Sequence, residues 1–212
     1  GSEMCIRDSN VAISYITNMQ TNSAKELTGK QIKSAKRQLP VPFQLKLKDY
    51  PTPLLIEKVV RIIPKKRFVA FGTWEGKPIV AKCFFERRKK NKNNHATRDA
   101  YGVNILKTAN IPTPTLLVEA TDQSNQISVL IFERIMDSYN LDWLWQQKSD
   151  NEELAPLMRA ITIELATQHV LGVIQKDLHL KNFLVANKKI YTLDGGSIEQ
   201  FNEPLSLIHI SE

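Results

Sequence analysis

Between residues 54 and 85 the apolar positions come in short runs broken by turn residues. Leu54–Ile63 (LLIEKVVRII) is rich in β-branched residues and predicts a first strand. Pro64-Lys65-Lys66-Arg67 supplies a turn, and Arg67–Trp74 and Lys77–Phe85 predict a hairpin around Glu75-Gly76. In the last of these strands (KPIVAKCFF), alternation turns Lys82 away from Ala81 and Cys83. A lysine buried unpaired there would be costly, so it should have a partner. A surface-facing lysine on an edge strand is the competing reading. Ile127–Ile135 (ISVLIFERI) predicts a further apolar strand that ends in mixed character.

Elsewhere the period changes to three or four residues. Ala100, Val103, Leu106 and Ala109 predict a helix, capped by Asn93 or Asn94 and ended by Asn110, Pro112 and Pro114. Leu141–Trp145 (LDWLW) predicts a short amphipathic helix. Leu154, Leu157, Met158, Ile161 and Leu165 form one stripe of a longer helix. A capping box at Ser149–Glu152 would open it, with Pro156 near its start, and Gly172 would close it in the left-handed conformation. RRKKNKNN (Arg87–Asn94) reads as a charged surface loop. TNSAKELTGKQIKSAKRQ reads as a solvated tail, with a basic arm against anionic lipid as the alternative. Pro40–Pro42 breaks it before the alternating FQLKLKDY.

The ends change the composition. GSEMCIRDS and LSLIHISE are encodable by two DNA strings that are reverse complements over their shared length, so both read as one translated sequencing adapter and are set aside. Each carries one net negative charge (Glu3, Arg7 and Asp8; Glu212), so removing both takes the formal charge from +7 to +9. That balance suits phosphate-bearing substrates, anionic membranes or nucleic acid. A nucleic-acid motif with interleaved aromatics is lacking. Without Cys5, Cys83 is alone, which excludes an intrachain disulfide and favours a reducing compartment. No apolar run approaches the roughly 18 residues needed to cross a bilayer.

Residues 175–196 (QKDLHLKNFLVANKKIYTLDGG) carry the chemistry. Asp177 and Asn182 stand at the two ends of one tight loop. Phe183, Leu184 and Val185, then Ile190, Tyr191 and Leu193, predict a small hairpin returning Asp194-Gly195-Gly196 beside them. Phosphoryl transfer from ATP uses this grouping: one carboxylate orients the hydroxyl, an amide oxygen and a second carboxylate hold magnesium, and glycines let backbone approach the phosphates. Each half of the motif alone arises by chance in loops, Asp-Gly being a common turn signal. The two in order, after a helix-like run ending in Gly172, are far harder to reach by chance.

With these residues the chain resembles the protein-kinase-like superfamily, and most closely its bacterial lipopolysaccharide (Kdo) kinase family. IVAKCFF resembles the kinase Val-Ala-x-Lys segment with its order altered, and His169-x-x-Gly172 and Asp177-Leu178-His179 also resemble the family. The resemblance covers about Leu54 to Gln200. It implies an α+β, two-lobed protein-kinase-like fold: a basic N-terminal arm (10–50), an N-lobe (51–135) with a small antiparallel sheet and one helix, and a partial, truncated C-lobe (136–204). Residues 1–9 and 205–212 are the adapter-derived ends.

The resemblance further implies ATP and Mg²⁺ as cofactors. Asp177 orients or deprotonates the acceptor hydroxyl, Lys82 clamps the phosphates, and Asn182 and Asp194 hold magnesium. Asp99 takes the place of the helix glutamate that pairs with the lysine, one methylene shorter. Phe132 lines the adenine pocket, where the Glu133 carbonyl and the Ile135 amide bond the adenine edge. Gln175 replaces the family's usual histidine, and Lys65, Lys66 and Arg67 stand where many kinases have a glycine-rich loop, either over the phosphates or as a solvated turn. His179 has no partner cluster that would make it a metal ligand. The implied acceptor is a Kdo or heptose hydroxyl of lipid A-linked lipopolysaccharide, reached peripherally at the cytoplasmic face of a Gram-negative inner membrane. Another kinase of this fold with a small-molecule or protein acceptor, and a non-catalytic nucleotide-binding protein, remain open.

Overall fold

The computed structural model describes residues 24–35, 38–85, 94–147 and 151–201. The expectations for the two adapter-derived ends, residues 10–23, the Arg87–Asn93 run and the Ser149 cap lie outside these residues. The described chain is mixed α+β and divides into two units. One takes in Ile6–Ala96 and Thr115–Arg134, the other Thr97–Pro114 and Ile135–Glu212.

The first unit is built on one sheet. Its strands are β1 (Lys25–Glu26), β2 (Phe43–Leu45), β3 (Leu54–Ile63), β4 (Arg67–Trp74), β5 (Lys77–Phe85), β6 (Leu116–Thr121) and β7 (Ile127–Glu133), in the order β1-β2-β3-β4-β5-β7-β6. All neighbours are antiparallel except β1 and β2. The predicted turns are present: Glu75 (φ 49) and Gly76 (φ 75) are both left-handed, the geometry a two-residue hairpin requires.

Alternation sends one set of side chains into a shared apolar core. Phe68, Ala70 and Trp74 of β4 and Ile79, Ala81 and Cys83 of β5 meet Ile127, Val129 and Ile131 of β7 there. Phe43, Leu45, Leu47, Leu54 and Ile56 complete it from the other side of the sheet order. The sheet therefore curls. Leu47, just past β2, bridges to Asp122, just past β6. The Lys48 amide donates to the Thr121 carbonyl at 2.8 Å and the Gln123 amide to the Lys46 carbonyl at 3.2 Å. Asp122 is the staple of this closure. Its buried carboxylate accepts from the amides of Gln126 (2.7 Å), Ile127 (2.7 Å) and Ser124 (2.9 Å), and from the Ser124 hydroxyl.

Two expectations are corrected. The sheet is mixed and seven-stranded, larger than the small antiparallel sheet expected. Residues 24–35 are not a solvated tail: β1 joins the sheet, Leu27 after it enters the core, and α1 (Gly29–Ser34) packs there through Ile32. The reason is local and apolar at once. Thr28 and Gln31 form a complete capping box that satisfies the first donors of a six-residue helix, while two buried side chains supply the transfer free energy. Gly29 lies so close to the Asp122 carboxylate that no Cβ would fit between them.

Cys83 is fully buried, and desolvation, with the Asp122 charge adding to it, pushes its thiol well above the usual range. It should stay unreactive while this unit is folded. Removing the staple leaves three amides without their acceptor, and the buried one, Ile127, costs about 1–3 kcal/mol if left unsatisfied, before relaxation. Asp122→Ala should therefore lower the urea midpoint of unfolding and make Cys83 open to alkylation at pH 8 under conditions where the parent chain resists it. Unchanged alkylation kinetics would show that the bridge does not hold the sheet closed.

The second unit contains α2 (His95–Thr108) from Thr97 onward, β8 (Tyr139–Asn140), α3 (Leu141–Gln147), α4 (Asn151–Val170), β9 (Val173–Gln175), β10 (Phe183–Ala186), β11 (Lys189–Thr192) and β12 (Ile198–Gln200). β11, β10 and β8 form one small sheet, β12 and β9 another. Asn94 caps α2 by accepting from the Ala96 amide at 3.0 Å. Asn110 ends it in the left-handed region, with the Ile111 amide reaching back to the Leu106 carbonyl at 2.9 Å. Gly172 (φ 70) closes α4 as predicted. Leu154 and Ile161 of α4 are buried and Leu157 and Leu165 partly so, but Met158 is exposed. On the helix it stands only about 20° round from Leu165, at the edge of the stripe farthest from Leu157.

Candidate active site

The loop between β9 and β10 is held by its own amide groups. Residues Leu180–Asn182 form a single 3₁₀ turn, with the Asn182 amide on the His179 carbonyl at 2.9 Å. The side-chain nitrogen of buried Asn182 donates to the Asp177 carbonyl at 2.7 Å. Only the NH₂ end of the amide can face a carbonyl, so the side-chain oxygen points away from that bond. Phe183, fully buried with Leu141, Ile161 and Ile190, anchors the loop's far end. The Asp177 side chain is open to solvent (63 %), with His179 Nε2 3.6 Å from its carboxylate.

Asn140 escaped the sequence reading. Its side-chain nitrogen donates to the Lys181 carbonyl at 3.0 Å, and its oxygen accepts from the Asp142 amide at 3.1 Å, where it caps α3. An asparagine just before LDWLW is a legible cap signal. Its second partner, far along the chain, leaves no local trace.

The hairpin expected after Phe183 is present, turning on Asn187 and Lys188, both left-handed. It returns Leu193 so that its amide donates to the Asn182 carbonyl at 2.8 Å. The Gln175 side chain donates to the Leu193 carbonyl at 3.3 Å. Asp194 follows with φ 58 and ψ 69, a left-handed aspartate of the kind that clusters at functional sites. Beyond it the Ser197 amide bonds the Asp194 carbonyl at 3.2 Å, and the Lys176 amide bonds the Ser197 carbonyl at 2.8 Å. Asp177, Asn182 and Asp194 thus belong to one bonded arrangement in one unit.

Packing against α2 requires a glycine at position 195. A Cβ on Gly195 would overlap the Asp99 carbonyl and lie 2.6 Å from the Val103 amide nitrogen, and one on Gly102 would strike the Gly195 carbonyl. Asp99 is buried at this crossing. Gly196 is different: a Cβ there would meet nothing nearer than 3.4 Å.

The remaining predicted residues lie on the sheet unit or where the next unit begins. Lys82 stands on the face opposite Ala81 and Cys83, its ammonium 5.2 Å from the Phe132 ring centroid, a cation–π distance. Glu133 ends β7 with its amide on the Thr115 carbonyl at 2.9 Å. Ile135 opens the second unit, and its carbonyl accepts from the Ser138 hydroxyl at 2.8 Å. Lys65 (φ 60) and Lys66 form the β3–β4 turn.

The donor set suits magnesium. Mg²⁺ takes oxygen ligands, keeps several waters and usually takes one or two carboxylates plus substrate phosphates. An amide oxygen from Asn182 and a carboxylate from Asp194 fit that pattern. Among the described residues no group of three or more His, Cys, Asp or Glu is placed to hold a metal unaided.

The Gly102–Gly195 crossing makes a test in which two effects oppose each other. Replacing an interior helix glycine by alanine ordinarily stabilises by about 0.5–1 kcal/mol. In α2 the new methyl would collide with backbone, and overpacking costs about 1–3 kcal/mol. Gly102→Ala should therefore destabilise the second unit, read as lost hydrogen-exchange protection in α2 and β12. A gain in protection would show that the helix and the Asp194 loop are not in this contact.

A scan against protein-family models finds no match to the chain, and a search of curated proteins finds none either.

Proposed function

We propose that this chain carries the phosphoryl-transfer apparatus of a protein-kinase-like enzyme that moves the γ-phosphoryl group of ATP to a sugar hydroxyl of lipopolysaccharide. One observation supports it above the others: Asn182 bonds Asp177 through its side chain and Leu193 through its carbonyl, which ties acid, amide oxygen and the Asp194 loop together. The remaining support is the order and spacing of Asp177, Asn182 and Asp194-Gly195-Gly196.

In this reading the exposed Asp177 carboxylate orients the acceptor hydroxyl and receives its proton. The transition state is loose, so a strong base is not needed, and positioning dominates. Asn182 and Asp194 would hold Mg²⁺, which supplies charge neutralisation on the phosphates when bound. Lys82 would meet the α- and β-phosphates, Glu133 and Ile135 the adenine edge, and Asp99 would be the acidic residue of the helix. An open Asp177 suits an acceptor too large to be enclosed, as a lipid-linked sugar is. The net charge of +7 suits the carboxylates and phosphates of such an acceptor and the anionic face of an inner membrane, met peripherally from the cytoplasm. Among the described residues no helix is long and apolar enough to cross a membrane.

The test is a thermal melt of the chain with and without Mg²⁺-ATP, beside Asp194→Asn. A ligand at 100 times its Kd that binds only the folded state adds about 2.7 kcal/mol. The expected result is a Mg²⁺-dependent rise that the variant loses. A cooperative melt indifferent to Mg²⁺-ATP would count against catalysis and favour a scaffold.

A further inference from the structure

Gly196 is a glycine that packing does not require. It is not among the residues with positive φ, and a Cβ there would meet only ordinary contacts: Asp194 Oδ1 at 3.4 Å, and Arg98 Nη2 and the Asp99 Cβ at 4.0 Å. The missing side chain leaves a space within 4.0 Å of both a carboxylate oxygen and a guanidinium nitrogen. Helix α2 sets this up by turning Asp99 into the protein while leaving its neighbour Arg98 exposed.

A bare anion entering that volume would be attracted by Arg98 and repelled by Asp194. A bare divalent cation would meet the opposite pair of forces. A phosphoryl group that brings its own divalent cation satisfies both, with oxygen toward the guanidinium fork and metal toward the carboxylate. We propose that Arg98 is an anion-binding residue of this site, taking an oxygen of the terminal phosphoryl group of a magnesium-bound polyphosphate. As a statement about ATP it rests on the kinase reading. As a statement about metal-bound phosphate it does not.

The experiment is calorimetric titration of the 212-residue chain with Mg²⁺-tripolyphosphate, Mg²⁺-ATP and Mg²⁺-ADP, repeated on Arg98→Met and Arg98→Lys. Losing one charge-assisted contact should weaken tripolyphosphate and ATP about tenfold or more. ADP, lacking the terminal group, should change far less, and Arg98→Lys should recover part of the loss. The exposed position predicts an unchanged melt for both variants without ligand. Variants that bind all three ligands like the parent chain overturn the assignment. Arg98-dependent binding of tripolyphosphate without binding of ATP keeps it and removes the kinase reading. A parent chain that binds none of the three removes both.

Discussion

The second unit depends on two backbones touching without side chains between them. A Cβ on Gly102 of α2 would strike the Gly195 carbonyl of the Asp194 loop, and one on Gly195 would strike the Asp99 carbonyl and Val103 of the same helix. Contact at that distance makes the helix a fixed wall for the loop. The loop is then held on its other sides by the Leu193 amide on Asn182 and by the β9–β12 pairing, which runs from Gln175↔Ile198 to Val173↔Gln200. With both flanks set, Asp194 takes a left-handed conformation that an isolated aspartate adopts only at a cost. A small-residue crossing thus positions a charged one.

The sheet unit solves a different problem, that of closing a curled sheet without leaving polar groups unpaired at the seam. Asp122 does so with one buried carboxylate serving several donors, and Gly29 lets α1 sit directly upon it. The closure commits the inward-facing residues of β4, β5 and β7 to the core. Lys82 is consequently left on the opposite face, with its ammonium over the Phe132 ring. The alternation of a single strand, KPIVAKCFF, decides both outcomes.

Much of this was legible in local pattern. The strand at Leu54–Ile63, the Glu75-Gly76 turn, the caps at Asn94 and Gly172 and the hairpin after Phe183 follow from residue type and spacing, because each is fixed by contacts a few residues apart. The failures are long-range. Leu27 and Ile32 look like isolated apolar residues in a basic stretch, and only the core they reach makes them structural. The Thr28-to-Gln31 capping box is a local signal that the reading of this stretch as a solvated tail did not use. The role of Gly195 could not be read, since a glycine beside an aspartate fits a turn, a phosphate or a helix equally well until the helix is in place. Asn140 carries one local bond and two distant ones, and the sequence declares only the first.

The proposed function requires Asp177, Asn182 and Asp194 to form one magnesium–nucleotide site. It is tested most directly by adding substoichiometric Mn²⁺ with ATP to the isotopically labelled chain and following backbone amide signals. The account predicts that signals from residues 177–182 and 194–196 broaden first and together, and that omitting ATP weakens the effect. Broadening spread evenly over the chain, or confined to residues elsewhere, would contradict it.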